Sequence, residues 1–143
     1  MSEPQASRSL GRSIGALLLG AFVAIILSIG TDAAMHATGV FPSLGQPMAS
    51  SLFLVATVYR SAYGVLSSYV TARFAPNRPM GHALVGGVLG LVAATVGAVA
   101  TWNRGPALGP HWYPISLMVT ALPCAWVGGK LRANQLRGTP AGS

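Results

Sequence analysis

The chain has 143 residues, of which 52% are hydrophobic and only 8% charged, and its mean hydropathy is +0.56. Soluble domains carry about 25% charged residues, so this is the composition of a membrane protein, with no stretch left over for a soluble catalytic domain. The formal charge of +7 does not mark a nucleic-acid binder, because the basic residues gather at the ends of apolar stretches, where they set topology and meet lipid headgroups.

Residues 1–12 read as a disordered cytoplasmic tail, with residues 13–132 as the membrane domain. The first apolar stretch, residues 14–31, follows Arg8 and Arg12 and ends near small residues, as a signal peptide does. It is longer than the ~7 to 15 apolar residues of a cleaved signal, and is read as a permanent helix. Ala16, Gly20, Ala24, Ser28, Asp32 and His36 recur at four-residue spacing, so a helix running past Thr31 would carry Asp32 and His36 on its small-residue face. Gly39, Pro42, Gly45 and Pro47 then end it.

The second stretch, residues 51–70, holds Arg60 at its centre. A guanidinium stays charged at ordinary pH and costs at least ~2.5 to 3.5 kcal/mol at a bilayer centre, so it must face a partner. The turn at residues 74–79 has two prolines and two arginines, Arg73 and Arg78, beside it, and predicts an antiparallel hairpin. The third stretch, residues 82–102, carries Gly86, Gly90 and Ala94 at four-residue spacing and is expected to be the tightly packed central helix. A Gly/Pro-rich loop follows, flanked by Trp102, Trp112 and Tyr113 as interface anchors. The fourth stretch, residues 112–129, contains Pro123, which frees the carbonyl of Val119 and predicts a kink that Thr120 partly satisfies. Lys130, Arg132 and Arg137 lie at its end, and residues 133–143 read as a disordered tail.

Each stretch is long enough for a spanning helix of roughly 17 to 25 residues. Basic residues fall on alternate connections, so the fold expected is an all-α, four-transmembrane-helix antiparallel bundle with both termini in the cytoplasm. Helix contacts should run through Gly20, Gly64, Gly86, Gly90 and Ala94.

The only acidic residues are Glu3 and Asp32, so the candidate site joins Arg60 to Asp32 and His36, with Tyr63 and Thr120 as hydroxyl neighbours. Arg60 lies roughly 14 Å below the outer end of its helix at 1.5 Å per residue. Contact with Asp32 therefore requires an extended first helix, a tilted second helix or a bridging water. Tyr59, Tyr69 and Tyr113 are further hydroxyls suited to packing or interface anchoring. His82 and His111 fall on opposite sides of the membrane, and Asp32, His36 and His111 match no metal motif, so neither metal nor cofactor is expected. The lone Cys124 cannot form an internal disulfide, and no nucleophile elbow or phosphate loop occurs.

The segments from Thr71 to His82, Gly30 to Ala33 with Gly39 to Pro42, and Thr120 to Lys130 resemble a family of small bacterial four-span integral membrane proteins to which no activity is assigned. The resemblance covers roughly residues 10 to 132. It implies multi-pass insertion in the bacterial inner (plasma) membrane and four helices, and brings no catalytic residues. The functions left are an oligomeric transporter or channel-like protein with a polar site around Arg60, or an accessory subunit of a larger membrane complex. A lipid-acting enzyme is the weakest reading, since no acid/base pair is evident. Membrane lipids and either further copies or other subunits are the expected partners, and nucleic acid is not.

Overall fold

Proline and glycine mark every place where a helix stops. Gly39 and Gly45, at φ 75° and 85°, turn the chain after the first helix, Pro79 opens the third, and Gly105 and Gly109 bracket a turn before the fourth. The computed structural model describes residues 3–139. It comprises α1 (Glu3–Ala37), α2 (Ser50–Phe74), α3 (Pro79–Thr101), a 3-10 turn (Pro106–Leu108) and α4 (Trp112–Gly138). Helix α1 starts at Glu3 and α4 continues to Gly138, so most of the stretches expected as disordered tails are helical. Once a helix exists, each added residue gains a backbone hydrogen bond without new nucleation. Residues 1, 2 and 140–143 of those tails lie outside the described residues.

Three helical stretches are long and apolar enough to cross a membrane: Gln5–Ala37, Pro79–Thr101, and Pro106–Gly138, the last taking in the 3-10 turn. Helix α2 is not among them. Its 25 residues include Arg60, five serines and three tyrosines, which pull its hydropathy below that of a lipid-facing span.

The register follows from the contacts. Gly20 meets Thr71 while Thr31 bonds Tyr63, so α1 and α2 run antiparallel. Thr57 pairs with Ser116 and Ser61 with Thr120, so α2 and α4 run parallel. Gly87 faces Ala125 and Gly129 faces Ala83, so α3 and α4 run antiparallel. The result is an up-down-up-down helical bundle. One end, here called basal, carries both ends of the described chain and the turn at residues 75–78. The other, apical, carries the two longer loops.

Helices α2 and α3 each meet all three other helices, leaving α1 and α4 at the far corners, but α2 packs extensively on both of these while α3 barely touches α1. Helix α2 contributes Phe53, Ala56, Thr57, Ser68, Thr71 and Ala72 to the buried set, against Ala83, Gly87 and Ala98 from α3. The central place expected for α3 therefore belongs to α2. The interior is built mainly of alanine, glycine and hydroxyl residues, while Leu18, Phe22, Val96, Val99 and Val119 point outward. Large aliphatic groups gain little by leaving lipid, whereas small ones let backbones approach.

The closest approach to another helix's backbone is on α4. A Cβ at Gly128 would lie 2.4 Å from the Val65 carbonyl oxygen, and one at Gly87 would lie 2.4 Å from Ala125 Cβ. Gly20 sits against Thr71 and Ser67, and the Ser67 hydroxyl donates to the Gly20 carbonyl at 2.7 Å. Gly64 touches Cys124 and Gly86 touches Leu17 at ordinary distances. Gly90, expected at a contact, faces open space: a Cβ there would meet nothing within 4 Å. Ala94, one turn on, borders a groove described below. Helix α4 is continuous through Pro123, and Thr120 donates to the carbonyls of Ser116 and Leu117, not to the one Pro123 frees.

Candidate polar site and its two recesses

Because α1 continues to Ala37, Asp32 lies about 7 Å below its apical end, deep enough to meet a residue well inside α2. The extended first helix is found, and Asp32 meets Arg60 directly. Asp32 Oδ2 accepts from Arg60 Nη2, and Oδ1 accepts from the Tyr59 hydroxyl. Tyr59 and Arg60 are neighbours in sequence, so the carboxylate bridges two adjacent positions of α2. One turn further, the Tyr63 and Thr31 hydroxyls bond at 2.7 Å. Two adjacent residues of α1, Thr31 and Asp32, thus reach two consecutive turns of α2 through polar side chains.

The Asp32 and Arg60 side chains are 30% and 33% exposed, so the pair is sheltered without being sealed. Arg60 Nε is buried and has no hydrogen-bond partner. A charge pair in a low-dielectric setting presents little net charge to lipid, whereas either member alone would be costly.

His36 does not join the carboxylate. Its Nδ1 lies 2.7 Å from the Pro42 carbonyl oxygen and its ring meets Phe41 edge-on, with centroids 5.5 Å apart. This holds the loop after α1 folded over the apical end, with Phe41 buried. Thr120 lies on the α4 side, bonded to Ser61 at 3.5 Å, and does not reach the ion pair. His111 stacks on Trp102 at 4.2 Å. Among the described residues no group of three His, Cys, Asp or Glu side chains could hold a metal ion.

Two recesses meet at Arg60. The apical cavity, about 290 Å³, is bordered by Asp32, His36, Phe41, Tyr59, Arg60 and Tyr113, with both apical loops above it. Tyr113 is braced by Phe53, their rings 5.0 Å apart, and Gly109 lets the second loop lie directly on the Phe53 ring. The lateral groove, about 410 Å³, separates α1 from α3, with α2 and α4 as its floor. Small residues form its walls, among them Ala24, Gly90 and Ala94, and its floor carries the hydroxyls of Ser61, Ser67 and Thr120. Among the described residues, Arg60 is the only charged one bordering the groove and the only one bordering both recesses.

The sequence predicts the pairing of Arg60 with Asp32, but it marks Tyr59 only as a residue suited to packing, whereas the Tyr59 hydroxyl donates to Asp32. The available signal was spacing: hydroxyls at 59 and 63, one turn apart, flank Arg60 on the face that the α1 positions Thr31 and Asp32 would meet. The enclosing role of the apical loops had no such signal, since Phe41 and Phe53 look like ordinary apolar residues. Comparison with known protein families, curated proteins and solved structures yields no match.

Proposed function

We propose that all four helices cross the bilayer of a bacterial inner membrane, with the basal end in the cytoplasm, and that the Asp32–Arg60 centre is the binding site of a small transporter or channel-like protein. The observation that carries this reading is the position of Arg60, whose side chain borders both the apical cavity and the lateral groove. A charged group between two recesses is suited to receive a small ionised solute that exchanges with one member of the pair. Intramembrane charge is functional by default because its insertion cost needs a compensating use. Helix α2 crosses as a span shielded by its three neighbours, which explains its low hydropathy. One bundle of four short helices encloses little volume, so the working unit is a homo-oligomer.

The test is uptake into proteoliposomes of two labelled probes, benzoate and methylammonium, with insertion checked by accessibility of a terminal tag. Uptake of one probe above protein-free vesicles, lost in Arg60→Gln and in Asp32→Asn, is expected. Correctly inserted protein that passes neither probe, or variants that match the parent, would end this reading. Placement of the chain ends on opposite faces would end the four-span arrangement.

The second reading, an accessory subunit of a membrane complex, is favoured by the open side of α3, part of which borders the lateral groove. Gly90 and Gly97 there have no neighbour within 4 Å, the kind of surface onto which another helix packs. Stoichiometric foreign subunits after purification in mild detergent, in place of a homo-oligomer, would select it.

A further inference from the structure

All the lysines and arginines except Arg60 and Arg104 lie at the basal end of the bundle, and two of them are built into a recess. Helix α1 extends beyond its apolar stretch and stands against the turn that joins α2 to α3. Between them is a recess of about 790 Å³ bordered by Gln5, Arg8, Ser9 and Arg12 on one side and by Pro76 and Asn77 on the other. The four helical positions share one face of α1 by the 3.6-residue period. The geometry is pinned from below: Ser13 and His82 Nε2 bond at 2.8 Å, tying α1 to the first turn of α3.

The chemistry of the recess is cationic. The Ser9 and Ser13 hydroxyls donate to carbonyls of their own helix, Ala6 and Ser9, at 2.8 and 2.9 Å, leaving the guanidinium forks of Arg8 and Arg12 as its main donors. Among residues whose side chains are described, no carboxylate lies at this end, and the one ion pair is the apical Asp32–Arg60. Guanidinium forks one turn apart match the oxygens of a phosphate group.

The same face of α1 indicates where that phosphate comes from. Continuing the helical period from Arg8 and Arg12 leads to Leu19, Phe22 and Ile26, which are 38%, 60% and 51% exposed. A headgroup held between the arginines would lay an acyl chain along this apolar strip. We infer that the basal recess binds the phosphate of an acidic phospholipid from the surrounding leaflet. This is a site apart from the ion-pair centre, and it requires only that α1 lies in the bilayer.

The experiment is native mass spectrometry of the full-length protein from mild detergent supplemented with phosphatidylglycerol. The parent should retain the lipid. Each arginine beside an anionic headgroup is worth roughly fivefold in binding, so Arg8→Gln with Arg12→Gln should lower retention about twenty-fold. Arg73→Gln with Arg137→Gln, which removes the same charge from the same end of the bundle, should change retention less than twofold. Asn77→Asp, which places a carboxylate across the recess without touching α1, should lower it about tenfold and guards against a helix-specific artefact. Equal losses from the two arginine pairs, or an indifferent Asn77→Asp, would overturn the inference by reducing the effect to general attraction. Displacement of the lipid by inorganic phosphate would overturn the lipid source in favour of a soluble phosphate compound.

Discussion

Helices α2 and α3 face each other across one short turn and are built by opposite rules. The helix that carries Arg60, five serines and three tyrosines is the hub of the bundle, packed extensively against both α1 and α4, whereas α3 only grazes α1. The more apolar one leaves Val88, Val92, Val96 and Val99 exposed and two of its five glycines, Gly90 and Gly97, in open space. In water the order would be reversed. With a hydrocarbon exterior, apolar side chains are satisfied outside, and the interior goes to groups that need hydrogen bonds or close backbone contact. High hydropathy therefore marks the rim of this bundle and polarity marks its centre.

The largest test of that contrast is at the hub. Gly128 of α4 lies where a Cβ would be 2.4 Å from the Val65 carbonyl and 2.7 Å from the Tyr69 amide nitrogen. Backbone cannot rotate aside as a side chain can, so Gly128→Val should cost about 3 kcal/mol or more or prevent assembly, read as the unfolding midpoint in detergent. A midpoint within a degree or two of the parent would mean that α2 is not the hub.

Next comes the ion pair. Asp32→Asn keeps the shape but leaves Arg60 without its counter-charge. Removing one partner of a fully buried pair costs about 3 to 5 kcal/mol. The two side chains are about one-third exposed, so roughly 2 to 3 kcal/mol is expected here. Replacing both, Asp32→Leu with Arg60→Leu, should recover most of that stability while abolishing the proposed uptake. If the double variant is no more stable than Asp32→Asn, the pair is not the reason the charge is tolerated.

How far the sequence carried these conclusions depends on whether local spacing encodes them. Helix existence and order, the loop breaks at Pro and Gly, and the pairing of Arg60 with Asp32 were legible, because insertion cost and the scarcity of acids leave few alternatives. The length of α1 was decisive and only half visible: hydropathy falls after Thr31, but the helix continues to Ala37 and carries Asp32 into reach. The hub was misread because Gly86, Gly90 and Ala94 on α3 look like a packing stripe. Spacing alone does not tell which side of a helix finds a neighbour. Gly87, one residue off that stripe, is the glycine that meets α4.

That one-residue offset sets a smaller pair of tests on α3 itself. Gly87→Ala would bring its Cβ within 2.4 Å of Ala125 Cβ, neither of which can rotate away, so α3 and α4 must separate at about 1 to 2 kcal/mol. Gly87→Ala with Ala125→Gly should restore the parent midpoint, since the same volume is moved from one helix to the other. Failure of the exchange would mean the loss arises from the backbone of α3 and not from this contact.

The smallest effect is expected one turn away. Gly90→Ala adds a methyl where nothing lies within 4 Å, and alanine is favoured over glycine in a helix interior by about 1 kcal/mol in water. In detergent the unfolded helices stay largely helical, which shrinks the difference, so the monomeric bundle should be unchanged or stabilised by about 0.5 kcal/mol. The informative readout is the same substitution in the assembled protein. A neutral Gly90→Ala in both states means the open face of α3 meets only lipid, and the contrast with α2 is complete. A variant that leaves the monomer intact but loosens the oligomer, or releases a co-purifying subunit, would show that Gly90 is a packing residue after all, with its neighbour supplied by another chain.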